Sequence, residues 1–116
     1  MPDGFRYERK LADKLENEGW HVERVASSGK RKNSVCDLVG IKNGKAYLIE
    51  VKTRNKKGFY AKKFENDLKK LKEVAIKVDA VPILAVLIKR HGWNFFDLRE
   101  DIPNVVNLKK RLLSIK

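Results

Sequence analysis

Cysteine is nearly missing from this 116-residue chain. The single Cys36 excludes an internal disulfide and a cysteine-built zinc site, and it suits a reducing cytosol. Glutamine is absent and methionine occurs once, a depletion of labile side chains of the kind found in proteins of hot environments. No apolar run reaches the roughly 18 residues a membrane span needs. The opening residues Met1-Pro2-Asp3-Gly4 carry no apolar signal core, so export is not expected and the cytoplasm is the expected location. Internal repeats and flexible linkers are also missing, so residues 1–116 are read as one domain with one core. Acidic residues are scarce beside basic ones, 15 Asp+Glu against 27 Lys+Arg, for a net charge of +12. That excess points to an anionic partner, with nucleic acid first. Ribosome association or simple solubility through surface lysine would give the same balance.

What is present centres on residues 36–52. Two apolar runs flank Asn43-Gly44, the strongest short-range signal for a β-hairpin, because a type I′ turn needs φ > 0 at both central residues. A two-residue loop fixes the register. Lys42 then faces Lys45, Ile41 faces Ala46, Val39 faces Leu48, and Asp37 faces Glu50. Strand alternation places Asp37, Glu50 and Lys52 on one face with Val39, Ile41, Ala46 and Leu48. Leu38, Tyr47, Ile49 and Val51 take the other. Both faces are apolar, as in strands covered on both sides.

Directly opposed residues have Cβ atoms roughly 4.5–5.5 Å apart, and like charges there repel. The Asp37–Glu50 pair must therefore bind a proton, a salt-bridge partner or a metal cation. Oxygen donors suit a hard divalent ion, Mg²⁺ or Mn²⁺. Lys52 is placed to reach a phosphate or a water beside such an ion. It is also placed to neutralise the carboxylates by itself, and on that alternative reading the cluster is purely structural.

The remaining chain is predicted in order. Phe5 to about Glu18 reads as an amphipathic helix with Phe5, Leu11, Ala12 and Leu15 in one stripe. Glu8 falls inside that stripe, where a charge is rarely left without a partner. It is read as a third acid aimed at the hairpin, as a carboxylate favoured by the helix N-terminus, or as a partner of Arg24. Gly19 closes the helix. Trp20–Ala26 alternates as a strand near an edge, with His21 solvated. Residues 27–34 form a basic loop with Lys30, Arg31 and Lys32, beside Asp37 in sequence. A second basic stretch, with Arg54, Lys56 and Lys57, follows the hairpin. Two basic loops around an acidic cluster suit a phosphodiester held over metal ions.

Phe64 to about Val78 reads as a second helix, with Leu68, Leu71, Ala75 and Val78 on one face. Pro82 opens the continuous apolar run to Ile88, a strand covered on both sides. Trp93–Leu98 is the next strand. A helix from about Asn107 to Ile115 follows Pro103. The order α-β-β-β-α-β-β-α gives an α/β domain, a central mixed sheet flanked by helices.

Several of these residues carry a resemblance. Asp37, followed by Glu50-Val51-Lys52, resembles the D…ExK signature of the PD-(D/E)xK nucleases. Within that group the chain resembles the archaeal-type Holliday junction resolvases over most of its length. The matching pieces are Gly4-x-x-x-Glu8-Arg9, Gly19-Trp20 leading to Arg24-Val25-Ala26-Ser27-Ser28-Gly29, Asp37, Tyr47–Lys52, Phe59-Tyr60-Ala61, Pro82–Val86 and Trp93-x-Phe95-Phe96. Cys36 stands where the family usually has a proline; that proline shapes the strand entry and is not a ligand.

The resemblance implies a restriction-endonuclease-like fold and a structure-specific endonuclease that resolves four-way DNA junctions by symmetric cleavage. It implies Mg²⁺, with Mn²⁺ able to substitute, held by Asp37, Glu50 and the Val51 carbonyl, with Glu8 completing the site directly or through water. It assigns catalytic roles to Glu8, Ser28, Asp37, Glu50 and Lys52, with Ser28 touching the scissile phosphate. Arg9, Arg24, Lys30, Arg31, Lys32, Arg54, Lys56 and Lys57 are expected to meet DNA. A homodimer is implied, its surface drawn from the Pro82–Leu98 strands or from Trp93, Phe95 and Phe96, residues that serve equally as core. Neither a membrane nor a small-molecule cofactor is expected. The host is expected to be an archaeal cell, or one carrying a phage or virus. Two rivals stand beside this reading: a flap or repair nuclease of the same superfamily, and a non-catalytic DNA-binding module on the same fold.

Overall fold

Asn43 and Gly44 take φ of 54° and 76°, and the hairpin forms around them. In the computed structural model, residues 3–25, 34–54 and 64–99 are described. Leu38–Lys42 (β2) pairs antiparallel with Lys45–Arg54 (β3), with Lys42 opposite Lys45, Ile41 opposite Ala46 and Val39 opposite Leu48, as predicted. Before β2 comes α1 (Asp3–Asn17) and then β1 (His21–Arg24). After β3 come α2 (Glu65–Lys77), β4 (Val81–Ile88) and β5 (Gly92–Asp97). The described strands form one sheet in the order β1-β2-β3-β4-β5. Among the described strands only β3 and β4 are parallel, joined by the crossover that contains α2, so the sheet is mixed and β3 is central. The expected element order holds through β5. The predicted helix at 107–115 lies outside the described residues, as do Ser28, Lys30, Arg31, Lys32, Lys56, Lys57 and Phe59–Ala61. No helix among the described residues is long and apolar enough to cross a membrane.

Both helices end in the same way. Trp20 N–H donates to the Leu15 carbonyl at 3.0 Å and Gly19 N–H to Glu16 at 3.1 Å. Ala80 N–H donates to Ala75 at 2.8 Å and Asp79 N–H to Ile76 at 3.2 Å. These are Schellman closures, with Gly19 (φ 94°) and Asp79 (φ 60°) in the left-handed position. The second closure overturns one expectation. Helical spacing predicts Val78 on the buried face of α2, yet it is 60% exposed, because the chain reverses at Asp79 and Ala80 is buried instead.

Each face of the sheet carries its own core. On one side Leu11, Ala12 and Leu15 of α1 pack with Trp20, Val22, Leu38, Ile49, Val51, Val81, Ile83 and Ala85. On the other Leu68 and Leu71 of α2 pack with Leu84, Val86, Ile88, Phe96 and Leu98. Fully burying each leucine contributes about 1.5–3 kcal/mol. β4 is buried along almost its whole length, which explains its unbroken apolar sequence. The hairpin is less covered than predicted: Ile41 is exposed. Of the aromatic cluster proposed for a subunit contact, Phe96 is core, whereas Trp93 and Phe95 stack on edge strand β5 and are half-buried.

Candidate active site

Asp37 sits where the strand is bent. Its N–H donates to the Ile49 carbonyl at 2.9 Å, although Ile49 is the partner of Leu38. Two successive residues therefore face one on β3, the arrangement of a β-bulge. Its carbonyl turns the other way and accepts from Val25 N–H at 2.9 Å. In a regular strand, N–H and C=O of one residue point to the same side. The bend also breaks the alternation, since Cys36 packs with the α2-side core although Leu38 lies in the α1-side core. The simple pairing of Asp37 with Glu50 is thus corrected. Asp37 Oδ2 instead accepts a 2.8 Å hydrogen bond from Val51 N–H, one residue beyond Glu50. The carboxylate stands in for a strand carbonyl and bridges the loop entry to β3.

The two acids still meet. Glu50 and Asp37 interact directly, and Glu50 Oε2 lies 3.3 Å from Lys52 Nζ. Burial, followed by the Asp37 charge, raises the Glu50 carboxyl well above the ordinary range, with Lys52 opposing. Glu8 reaches the same place from α1. Its carboxyl is pushed up to about 7, first by burial and then by Asp37, while Arg24 pulls it down. Asp37 acts on Glu8 both through its charge and as a potential acceptor of the Glu8 proton, and both favour the protonated form. Of the three readings of Glu8, the third acid aimed at the hairpin is the one its neighbourhood with Asp37 favours, and Arg24 acts on it through its charge. Asp37 is the neighbour common to both glutamates. The Cys36 thiol beside them is raised to about 11 by burial and then by Asp37 and Glu50, so it stays protonated.

The structure brings Glu8, Arg24, Asp37, Glu50, Val51 and Lys52 together around the entry to β2. Arg9 is exposed on α1. Arg54 is at the end of β3, where its guanidinium donates to the Thr53 carbonyl at 2.6 Å. Among the described residues, no three His, Cys, Asp or Glu side chains form a ready metal cage. The acids converge as two pairs sharing Asp37. The donor set is all oxygen and crowded with negative charge, which fits a hard divalent cation.

One contact escaped the sequence reading. Phe64, immediately before α2, lies against Lys52 and Arg54. A phenylalanine at a helix start, where Ser, Thr, Asp or Asn is usual, was the available signal.

The model of the archaeal Holliday junction resolvase (Hjc) family matches residues 2–111. The chain belongs to that family. The crossover junction endodeoxyribonuclease of Sulfolobus islandicus rod-shaped virus 1 is 32% identical over 108 residues, 91% of this chain and 89% of the viral protein. The crossover junction endodeoxyribonuclease Hjc of Sulfurisphaera tokodaii is 42% identical over 52 residues, 44% of this chain and 36% of that protein. The solved structure of Archaeoglobus fulgidus Hjc, a Holliday junction resolvase from an archaeal hyperthermophile, superposes with a TM-score of 0.73 at 26% identity, covering 90% of this chain and 88% of that one. The resolvase family thus accounts for the mixed sheet and for the D…ExK residues that the bend at Asp37 gathers.

Proposed function

We infer that this chain is a DNA endonuclease that resolves four-way junctions by metal-dependent, symmetric phosphodiester cleavage. The observation that carries this is the convergence of Glu8, Asp37, Glu50 and Lys52 at one point of a resolvase-family fold. A binding module has no use for repelling acids beside phosphates.

Asp37, Glu50 and the Val51 carbonyl would hold Mg²⁺, or Mn²⁺ in its place, with Glu8 acting directly or through a water. Val51 N–H already points to Asp37, and in a strand its carbonyl lies on the same side. Bound there, the cation would lower the pKa of a water and offset charge gathering on the phosphate. Lys52, 3.3 Å from Glu50, would orient or deprotonate that water or stabilise charge in the transition state. Ser28 is assigned the scissile phosphate by family likeness. Arg9, Arg24 and Arg54, with Lys30, Arg31, Lys32, Lys56 and Lys57, would follow the phosphate backbone, in keeping with the net charge of +12. Symmetric cutting needs two sites, hence a homodimer. Trp93 and Phe95 on the β5 edge are its candidate surface. The unit of activity would be residues 1–116 as one nuclease domain acting in the cytoplasm of its host.

The test compares cleavage of four-way junctions, flaps and linear duplex in Mg²⁺. Preference for the junction supports resolution. A stronger preference for flaps would assign the chain to repair instead.

A further inference from the structure

We infer that Phe64 is a positioning residue for the reaction, its ring face holding the Lys52 ammonium in place beside Glu50. The inference rests on the endonuclease reading above. Lys52 Nζ lies 4.2 Å from the centroid of the Phe64 ring, and the Arg54 guanidinium carbon lies 5.2 Å from it. Both distances are within the roughly 6 Å over which a cation is drawn to a ring face. Lys52 and Arg54 are two residues apart on β3, so they project on one side of the strand, the side on which Phe64 packs.

Phe64 also packs against the α2-side core, and its placement gives up a helix cap. Phe64 occupies the N-cap of α2 with φ −112° and ψ 21°, and it makes no side-chain capping bond. A Ser or Asp there would accept from the first free N–H groups of the helix. An aromatic ring has no such acceptor, yet it is half-buried over the two cations.

The ring also explains the Lys52–Glu50 distance. At 3.3 Å the pair is looser than the roughly 2.7–2.9 Å of a closed charge-assisted hydrogen bond. The ammonium is shared between the carboxylate on one side and the ring on the other. A lysine has a long flexible stem and gains direction from being held at two points. Held this way, Lys52 neither collapses onto Glu50 nor swings into solvent, and Glu50 keeps an oxygen for other work.

The test replaces Phe64 by Leu, by Trp or Tyr, and by phenylalanines carrying one, two and three ring fluorines. Fluorine drains the ring face while nearly preserving its shape. Single-turnover cleavage of a saturating four-way junction is read for each. Phe64→Leu is expected to slow cleavage by about 3–30-fold, the range such contacts span. Phe64→Trp or Tyr should recover most of the rate, and each added fluorine should lower it further. A second readout needs no cleavage. The Lys52 ε-methylene proton resonances should lie upfield in the shielding zone of the ring, return to ordinary positions in Phe64→Leu, and stay upfield in Phe64→Trp. Wild-type rates in Phe64→Leu, or a flat fluorine series, would overturn the inference, the second by leaving packing as the whole role of the ring. Failure of the unmodified protein to cut any DNA while Lys52 stays ring-shifted would sink the endonuclease reading and the positioning role with it. That pattern differs from one in which cutting is normal and Lys52 is not ring-shifted, which overturns the role of Phe64 alone.

Discussion

The Asp37 carboxylate accepts the Val51 N–H at 2.8 Å, so the residue that gathers the acids also closes the strand ladder. The two duties separate by substitution. Asp37→Asn keeps an acceptor for Val51 and removes the charge that raises Glu8 and Glu50. It should fold with unchanged or greater stability and lose cleavage by more than about a hundredfold, on the scale of removing one electrostatic stabiliser. Asp37→Ala leaves the Val51 N–H without its acceptor and should cost about 1–3 kcal/mol in urea unfolding as well.

The raised carboxyls make stability fall with rising pH when no divalent ion is present. The folded protein keeps a proton on Glu8 up to about 7, whereas the unfolded chain releases it near the ordinary 4.5. The stabilising proton is fully present below the unfolded value and is lost as pH rises through the folded one. Glu50 is raised in the same direction. Melting in EDTA should therefore weaken from mildly acidic to mildly alkaline pH. Mg²⁺ displaces those protons, so its stabilising effect should grow over the same range. An equal effect of Mg²⁺ on the melting temperature at both ends would contradict this.

The hairpin register was legible because Asn43-Gly44 and strict alternation say the same thing. The position of Asp37 was not legible beyond its neighbourhood. Alternation assumes a regular strand, and nothing in the side chains marks the bend that turns its N–H toward β3 and its carbonyl toward Val25. Val78 failed for a related reason: helical spacing continues in the sequence past the point where Asp79 reverses the chain. Glu8 was visible as a charge in an apolar stripe, though its two partners come from β1 and the β2 entry, contacts that only the fold supplies. Phe64 touches Lys52 across the segment 55–63, so no local pattern joins them.

Gly40 has no room for a side chain. A Cβ there would stand 2.9 Å from Trp20 Cε3, and Trp20 is itself buried against Tyr47 with ring centroids 4.6 Å apart. Gly40→Ala should lower stability by about 1–3 kcal/mol, the usual cost of overfilling a packed core. Thermal melting followed by tryptophan emission reads both the loss and the displaced ring. Unaltered melting would show that Trp20 yields freely.

Binding to DNA should be steeply salt-dependent, given the net charge of +12. If Arg9 meets a phosphate, Arg9→Ala should flatten the plot of log affinity against log salt by about one. It should weaken junction and duplex alike. An unchanged slope in fluorescence anisotropy titrations would remove Arg9 from the interface.

The most direct measurement incubates the protein with a labelled four-way junction and a matched linear duplex, in Mg²⁺ and in EDTA, beside Glu50→Gln. The expected result is paired nicks confined to the junction, present in Mg²⁺, absent in EDTA and abolished in Glu50→Gln. Tight, salt-sensitive binding without cleavage in either Mg²⁺ or Mn²⁺ would contradict it and leave a junction-binding protein whose acids serve the fold alone.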